Sequence, residues 1–231
     1  MTKRTIIVAG YGPNVSHQVA LAFGKLGYDV ALLSRTKAKL DSAAAEMGKL
    51  GIRAKGFPTD LTDPMAVKAA IESIKKEMGS ISILFWNPYM YGKSIYDGEG
   101  AIKDLQDSMA VCVISLATAV QACQSDLEAA KGAILVTGGG LSLENEMAVN
   151  LTIQFKAEVL AVPKAAQRKL VHCMHEGLKD KGIFVGEVTI NGMVKGTAFD
   201  PNGESNITDE LVAQRFVDLF NKRKEWNEIL Q

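Results

Sequence analysis

The feature that most constrains the fold is a short apolar run followed directly by a glycine turn and a helix. Residues 5–9 read Thr-Ile-Ile-Val-Ala, a composition typical of a strand buried on both faces of a sheet. Gly10 and Gly12 come next, and apolar residues then recur at helical spacing from Val15 to Leu26. This order of strand, turn and helix predicts the first unit of a parallel α/β sheet.

The same alternation continues along all 231 residues. Further strands are predicted at 30–33, 53–57, 81–86, 133–137, 184–190 and 226–230. Helices are predicted at 15–26, 37–50, 62–78, 102–130, 149–181 and 208–223, with the helix at 149–181 interrupted or begun near Pro163. Because no repeat or linker divides the chain, we expect one α/β domain over residues 1–231. Its core is a doubly wound parallel sheet of six to seven strands with helices on both faces.

Charge and composition narrow the possible partners. The 26 basic and 26 acidic residues cancel and form no long run of one sign, so no nucleic-acid partner is expected. The N-terminal apolar run is too short for a signal peptide, and no membrane span of about 20 apolar residues is recognised, so we predict a cytoplasmic protein without a membrane partner. The three cysteines are expected to be buried free thiols. His172 and His175 lack ligand spacing, so no metal site is predicted.

The glycine turn is predicted to bind the pyrophosphate of a dinucleotide. A helix N-terminus offers free N–H groups and a positive dipole end, and Gly10 and Gly12 permit close approach of the backbone. The later glycines of the usual pattern are absent, but Asn14 tolerates a left-handed backbone and Ser16 is small. We expect Asn14 and Val15 to contact the dinucleotide as well. The alternative is an ordinary turn that binds no ligand.

Arg35 indicates which dinucleotide is bound. A protein that holds an unphosphorylated adenosine ribose places an acid at the end of the second strand, whereas this chain reads Ser34-Arg35 there. A guanidinium pairs bidentately with a phosphate, so NADP(H) is predicted in preference to NAD(H). The alternative is a solvated loop arginine.

Two further strand ends supply polar groups at the same edge of the sheet. Asp60-Leu61 follows the third strand, where the acid could accept from the adenine amino group or cap the next helix. Asn87-Pro88 follows the fourth strand, at the edge where open α/β sheets bind ligands.

Taken in order, these motifs resemble the short-chain dehydrogenase/reductase family along nearly the whole chain. Further support comes from Lys164-Ala165-Ala166, which opens an amphipathic helix, and from Gly192-Met193-Val194 after the sixth strand. The resemblance implies a single-domain Rossmann fold and an NADP(H)-dependent oxidoreductase acting on an unknown carbonyl or alcohol substrate. It also implies that Gly192 and Val194 contact the cofactor.

The catalytic residues of the family are mostly replaced. The family uses a tyrosine as acid, and a lysine four residues later lowers the pKa of that tyrosine and holds the nicotinamide ribose. If Lys164 is the family lysine, Leu160 occupies the tyrosine position. If it is instead Lys156, then Thr152 does.

Two other family positions also differ. After the fifth strand, where the family has a serine, the chain reads Thr137-Gly-Gly-Gly140, and Ser142 is close by. In the fourth helix, Cys112 stands where the family has an asparagine. A loop tyrosine (Tyr89, Tyr91 or Tyr96) could take over as acid, or these rings could serve only loop packing. A catalytically silent NADP(H)-binding homologue, acting as a sensor or partner subunit, is therefore the alternative function.

The apolar faces of the helices at 102–130 and 149–181 suggest self-association. In the family this surface usually builds a homodimer or homotetramer, although long helices buried within one subunit show a similar pattern.

Overall fold

The computed structural model of the chain describes residues 4–200 and 202–231, in which strands and helices alternate as predicted. The strands are β1 (Thr5–Ala9), β2 (Asp29–Ser34), β3 (Ala54–Pro58), β4 (Ile81–Trp86), β5 (Ala133–Gly139), β6 (Phe184–Ile190) and β7 (Asn227–Leu230). The helices are α1 (Val15–Lys25), α2 (Lys37–Lys49), α3 (Pro64–Met78), α4 (Ala101–Met109), α5 (Ser115–Ala130), α6 (Glu146–Gln154), α7 (Glu158–Leu178) and α8 (Asp209–Lys222).

All seven strands pair in parallel in the order β3-β2-β1-β4-β5-β6-β7. The strand order reverses beside β1, where Ala9 pairs with Leu33 on one side and with Trp86 on the other. This confirms the predicted doubly wound sheet. The connections leaving β1 and β4 diverge at their carboxyl ends, which is the place where such sheets open a crevice for a ligand.

Two apolar cores lie on opposite faces of the sheet. Alternate residues of β1 face opposite sides, so Ile6 and Val8 join the core beneath α1, α2 and α8, while Ile7 and Ala9 join the core beneath α3, α5 and α7. The residues of β1 are all buried, as the continuous apolar run predicted.

The predicted helix at 102–130 is interrupted by a π-helical segment at Ala110–Ile114. The Nε1–H of buried Trp86 donates to the carbonyl oxygen of Val111 at 3.2 Å, so a side chain from β4 contacts the backbone inside that segment. Cys112 lies in the same segment and is fully buried. Segments of this kind occur often at functional sites.

Residues 101–130 also form the one stretch in the described ranges whose length and apolar composition would suffice to cross a membrane. Core helices of globular proteins meet the same criterion. Leu116, Cys123 and Leu127 of this stretch are buried in the core beneath α5, which is the packing of a core helix. The cytoplasmic location stays a prediction.

The long helix predicted at 149–181 is broken, but not at Pro163. The chain turns at residues 155–157, where Lys156 has a φ of 51°, and Pro163 lies inside the continuous helix α7. The expectation that all three cysteines are buried was wrong for Cys173, which lies exposed on α7.

Candidate cofactor and active site

A cleft of about 250 Å³ opens at the carboxyl edge of the sheet, between the ends of β1, β2, β3 and β4. It brings together seven of the residues predicted from sequence: Gly10, Ser34, Arg35, Asp60, Leu61, Asn87 and Pro88. These residues follow four different strands, and the parallel sheet places the four strand ends side by side.

The glycine turn has no room for a larger residue at its first position. Gly10 has a φ of 72°, and a Cβ atom there would lie 2.7 Å from the backbone nitrogen of Pro88. At Gly12 a Cβ atom would meet nothing within 4 Å, so this backbone is open to a ligand. The Ser16 hydroxyl accepts from the Gly12 N–H at 2.8 Å and thereby fixes the turn from within.

The start of α1 remains available to an anion. Asn14 is the N-cap residue, but its side chain makes no capping hydrogen bond. The φ of Asn14 is −104°, so the left-handed conformation considered from the sequence is not required there. Val15 is buried and anchors the first turn in the core. Free N–H groups at a helix start beside an open glycine suit a pyrophosphate group.

Arg35 and Asp60 lie on the same side of the cleft. The main-chain N–H and the hydroxyl of Thr62 donate to Asp60 Oδ1 at 2.9 and 2.8 Å. These bonds, with a smaller contribution from the Arg35 charge, lower the pKa of Asp60. Asp60 is therefore an anion at neutral pH and Arg35 an exposed cation, so the cleft wall offers one hydrogen-bond acceptor and one site for an anionic group.

A chain of hydrogen bonds joins the glycine turn to β5. Asn87 Nδ2 donates to the Gly10 carbonyl at 3.4 Å, and Thr137 Oγ1 donates to Asn87 Oδ1 at 2.8 Å. Thr137 therefore orients Asn87 beneath the cleft, a role that its sequence position had not suggested.

The two candidate lysines occupy opposite environments. Lys164 is buried on α7, and its Nζ donates to the carbonyl oxygens of Pro88 and Thr137 at 3.1 and 2.9 Å and to Gln167 Oε1 at 3.3 Å. Burial lowers the pKa of Lys164, and the Cys112 thiol and the Glu187 carboxylate oppose that shift. Lys156 is instead exposed and pairs with Asp97 at 3.1 Å. Of the two lysines, Lys164 is the one bonded to a residue of the cleft lining, Pro88.

The residues that the resemblance placed at or near the tyrosine and serine positions offer no free hydroxyl. Leu160 is half-buried one turn before Lys164, and Thr152 donates its hydroxyl to the Ala148 carbonyl at 2.8 Å. Ser142 donates to the Gly139 carbonyl at 2.7 Å, so its hydroxyl is bound to the local backbone.

Gly192 and Val194 lie outside the cleft lining. Val194 forms a bridge with Ile207, and a Cβ atom at Gly192 would lie 2.8 Å from the Ile207 side chain. The loop that contains them nevertheless approaches the turn, because Asn14 Nδ2 donates to the Gly196 carbonyl at 3.5 Å. Within residues 4–200 and 202–231, no group of three His, Cys, Asp or Glu side chains is placed to hold a metal ion.

Sequence reasoning missed several cleft residues. Tyr11, Thr59, Thr62, Met90 and Val111 also line the cleft. Tyr11 shares a hydrogen bond of 2.8 Å with His17 Nδ1, and burial raises the pKa of its phenol to about 12. The position of Tyr11 inside the glycine turn was the available signal for this residue. No local pattern pointed to Val111.

Comparison with known proteins identifies the family and the fold. A profile for short chain dehydrogenases matches residues 4–206. The chain is 27% identical over 195 residues to 2-(S)-hydroxypropyl-CoM dehydrogenase 3 of Xanthobacter autotrophicus, which covers 84% of this chain and 74% of the relative.

Two solved structures share the fold. One is a blue fluorescent protein from a metagenomic library in complex with NADPH, with a TM-score of 0.84, 18% identity, and coverage of 100% of this chain and 97% of the other. The second is L-sorbose reductase from Gluconobacter frateurii complexed with NADPH and L-sorbose, with a TM-score of 0.83, 17% identity, and coverage of 100% and 96%.

Proposed function

This chain belongs to the short-chain dehydrogenase/reductase family, and we propose that it is an NADP(H)-dependent oxidoreductase that works without the family tyrosine. The observation that carries the proposal is the cleft where the glycine turn, Arg35 and Asp60 meet. The NADPH complexes of proteins with the same fold support a nicotinamide dinucleotide as the ligand.

Each part of the cleft suits one part of that cofactor. The pyrophosphate would lie at Gly12 and the uncapped start of α1, where the backbone is open. The 2′-phosphate of NADP(H) would pair with Arg35, because a guanidinium presents two parallel N–H donors to phosphate oxygens. Asp60 would accept from the adenine amino group. Asn87, held by Thr137, would fix the backbone beneath the nicotinamide half.

When bound, the nicotinamide supplies or accepts a hydride at a carbonyl or alcohol carbon. In our proposal Lys164 is the family lysine and Leu160 stands at the tyrosine position. The ammonium of Lys164 holds the ends of β4 and β5 together through the Pro88 and Thr137 carbonyls.

Tyr89 is the loop tyrosine best placed to assist the substrate oxygen. It lines the cleft beside Pro88, whereas Tyr91 and Tyr96 are not in the cleft lining and the Tyr91 hydroxyl donates to the Phe155 carbonyl. Partial burial raises the pKa of Tyr89, so the phenol keeps its proton at neutral pH. A neutral phenol can donate a hydrogen bond to a substrate oxygen, and this would stabilise negative charge that develops there.

The comparisons give no support to the alternative of a catalytically silent sensor. We also propose that the chain forms a homodimer or homotetramer through α4, α5 and α7. Ile114, in the π-helical segment between α4 and α5, and Val162 on α7 are large apolar side chains exposed on the single chain.

The test is a titration of the wild type, Arg35→Ala and Lys37→Ala with NADPH and with NADH, monitored by nicotinamide fluorescence. A charge-assisted hydrogen bond is worth about 1.5–3 kcal/mol, so Arg35→Ala should weaken NADPH binding about 10- to 100-fold and leave NADH binding unchanged. Lys37→Ala is the matched control, because Lys37 lies two residues away and pairs with Asp41.

If Arg35→Ala weakens the binding of NADPH and of NADH equally, the proposed preference for NADP(H) is refuted. Binding of neither cofactor to the wild type would refute the dinucleotide site itself.

A further inference from the structure

One group of exposed apolar side chains adjoins the cleft through Tyr89, which lines the cleft and is itself exposed. Ten of the seventeen large hydrophobic side chains that are exposed in the described ranges lie in three short segments. We call the segments 89–96, 147–155 and 193–199 the apolar rim. Its exposed members are Tyr89, Tyr91, Ile95, Tyr96, Met147, Val149, Ile153, Phe155, Met193 and Phe199. Scattered surface hydrophobics are ordinary, but a concentration of this size marks a binding surface.

The segment 89–96 contacts both other segments of the apolar rim. The Tyr91 hydroxyl donates to the Phe155 carbonyl at 2.5 Å, which joins the loop after β4 to the end of α6. The ring centroid of Phe199 lies 5.8 Å from that of Tyr89 and 6.1 Å from that of Tyr91, which joins the loop after β6 to the same group. The rim is therefore one surface built from three distant parts of the chain.

This surface is continuous with the proposed cofactor cleft. Tyr89 belongs to both, since it lines the cleft beside Asn87 and packs against Phe199 in the rim. The bond between Asn14 and the Gly196 carbonyl also brings the loop of Phe199 to the glycine turn. A molecule that reacts at the nicotinamide would therefore extend along the rim.

Two polar groups at the rim are bound to the protein. The Tyr91 hydroxyl is bound to Phe155, and the Lys156 ammonium next to α6 is paired with Asp97. The rim therefore presents mainly carbon surface and aromatic rings to a ligand. Aromatic rings at centroid distances of 4.5–7 Å interact favourably, and a ligand ring packed against the exposed faces of Tyr89, Tyr91 and Phe199 would extend that arrangement.

We infer that the substrate is an aromatic ketone or the corresponding secondary alcohol, with its ring held by Tyr89, Tyr91 and Phe199 and its carbonyl directed at the cleft. This inference rests on the proposed function for the reaction, but the ring-binding surface is argued from the rim alone. Small polyhydroxylated ketones would leave the rim exposed to water and would bind weakly.

The experiment measures binding, so it does not depend on turnover. 2-Acetylnaphthalene and hydroxyacetone are each titrated by calorimetry into the protein with and without NADP⁺. We expect 2-acetylnaphthalene to bind at least about 10-fold more tightly than hydroxyacetone, and Phe199→Ala to weaken it about 10-fold, since removing a ring exceeds the effect of one methylene group. Leu50→Ala is the control, because Leu50 is also an exposed large apolar side chain but lies at the C-terminal end of α2, outside the rim.

The outcomes separate the two proposals. Loss of NADPH binding with retained ketone binding would refute the proposed function and keep the rim as an aromatic site. NADPH binding without any preference for 2-acetylnaphthalene would overturn the substrate inference alone. The substrate inference would also be overturned if Phe199→Ala changed the oligomer mass in light scattering and left the affinity for 2-acetylnaphthalene unaltered. The rim would then be a contact between copies of the chain.

Discussion

Lys164→Met removes a buried charge and three hydrogen-bond donors while nearly preserving side-chain length. The Thr137 carbonyl keeps a partner after this change, because Gln167 Nε2 also donates to it at 3.1 Å. The Pro88 carbonyl loses the bond from Lys164. A buried acceptor left without a partner costs about 1–3 kcal/mol, and relief of the buried ammonium offsets part of that. We therefore expect the variant to lose about 1–2 kcal/mol of unfolding free energy at pH 7.

The pH dependence gives a sharper test of the buried charge. Burial lowers the pKa of Lys164 in the folded state below its usual value of 10.5. Between the folded-state value and 10.5, the unfolded chain binds more protons, so the unfolding free energy of the wild type rises with pH across that window. Below the folded-state pKa, Lys164 is protonated in both states, so this increase in unfolding free energy is absent. Lys164→Met lacks the group, so the wild type should gain stability relative to the variant as pH is raised toward 10.5.

The assay is urea unfolding of both proteins at several pH values from 7 to 10, followed by circular dichroism. The contributions of other titratable groups to the unfolding free energy cancel when the two proteins are compared at the same pH. Lys156→Met is the control, since its exposed ion pair with Asp97 should contribute less than about 1 kcal/mol to the unfolding free energy. Our account of a desolvated lysine would be refuted if the difference in unfolding free energy between the wild type and Lys164→Met were the same at pH 7 and pH 10. It would also be refuted if the difference between the wild type and Lys156→Met changed equally with pH.

Two further pairs of variants test the glycine turn and the buried ion pair between α7 and β6. Gly10→Ala should lose about 2–4 kcal/mol of unfolding free energy in urea, because its positive φ and the close Pro88 backbone both oppose a Cβ atom. Gly12→Ala should leave stability unchanged and weaken NADPH binding; an equal loss of stability in both variants would contradict the close-approach argument. Arg168→Met should lower the unfolding free energy, measured by thermal or urea unfolding, by about 3 kcal/mol. The reason is that the fully buried Glu187 carboxylate, to which Arg168 donates at 2.5 Å, would lose its cationic partner. Adding Glu187→Gln should recover part of that loss, and no recovery would mean that the charge is not the cause.

Most of the fold could be predicted from the sequence because its signals are local. A strand covered on both faces is a continuous apolar run, and a helix shows a period of 3.6 residues, so the order and approximate bounds of most elements follow from neighbouring residues. Parallel strands all end at one edge of their sheet, so the grouping of Arg35, Asp60 and Asn87 in one cleft also followed from the predicted topology.

Other features depended on contacts that no local pattern encodes. The helix predicted at 102–130 contains a π segment whose Val111 carbonyl receives a hydrogen bond from Trp86 of another strand. The break before α7 lies at Lys156 and not at Pro163, so the proline was a misleading signal. The apolar rim joins three segments that are up to about a hundred residues apart, and each segment alone resembles an ordinary loop or short helix.

The sequence by itself determined the parallel sheet, the glycine turn and the row of polar residues at its carboxyl edge. It favoured Lys164 over Lys156, because the helix length from Lys164 to Gly182 suits the family register, but it left Lys156 as an alternative. Only the tertiary structure decided which lysine lies under the cleft. The hydrogen bonds of Lys164 to Pro88 and Thr137 span 76 and 27 residues, and packing of α7 against the sheet is what brings those groups together. Burial and long-range pairing arise when elements pack, so they cannot be read from the periodicity of any one element.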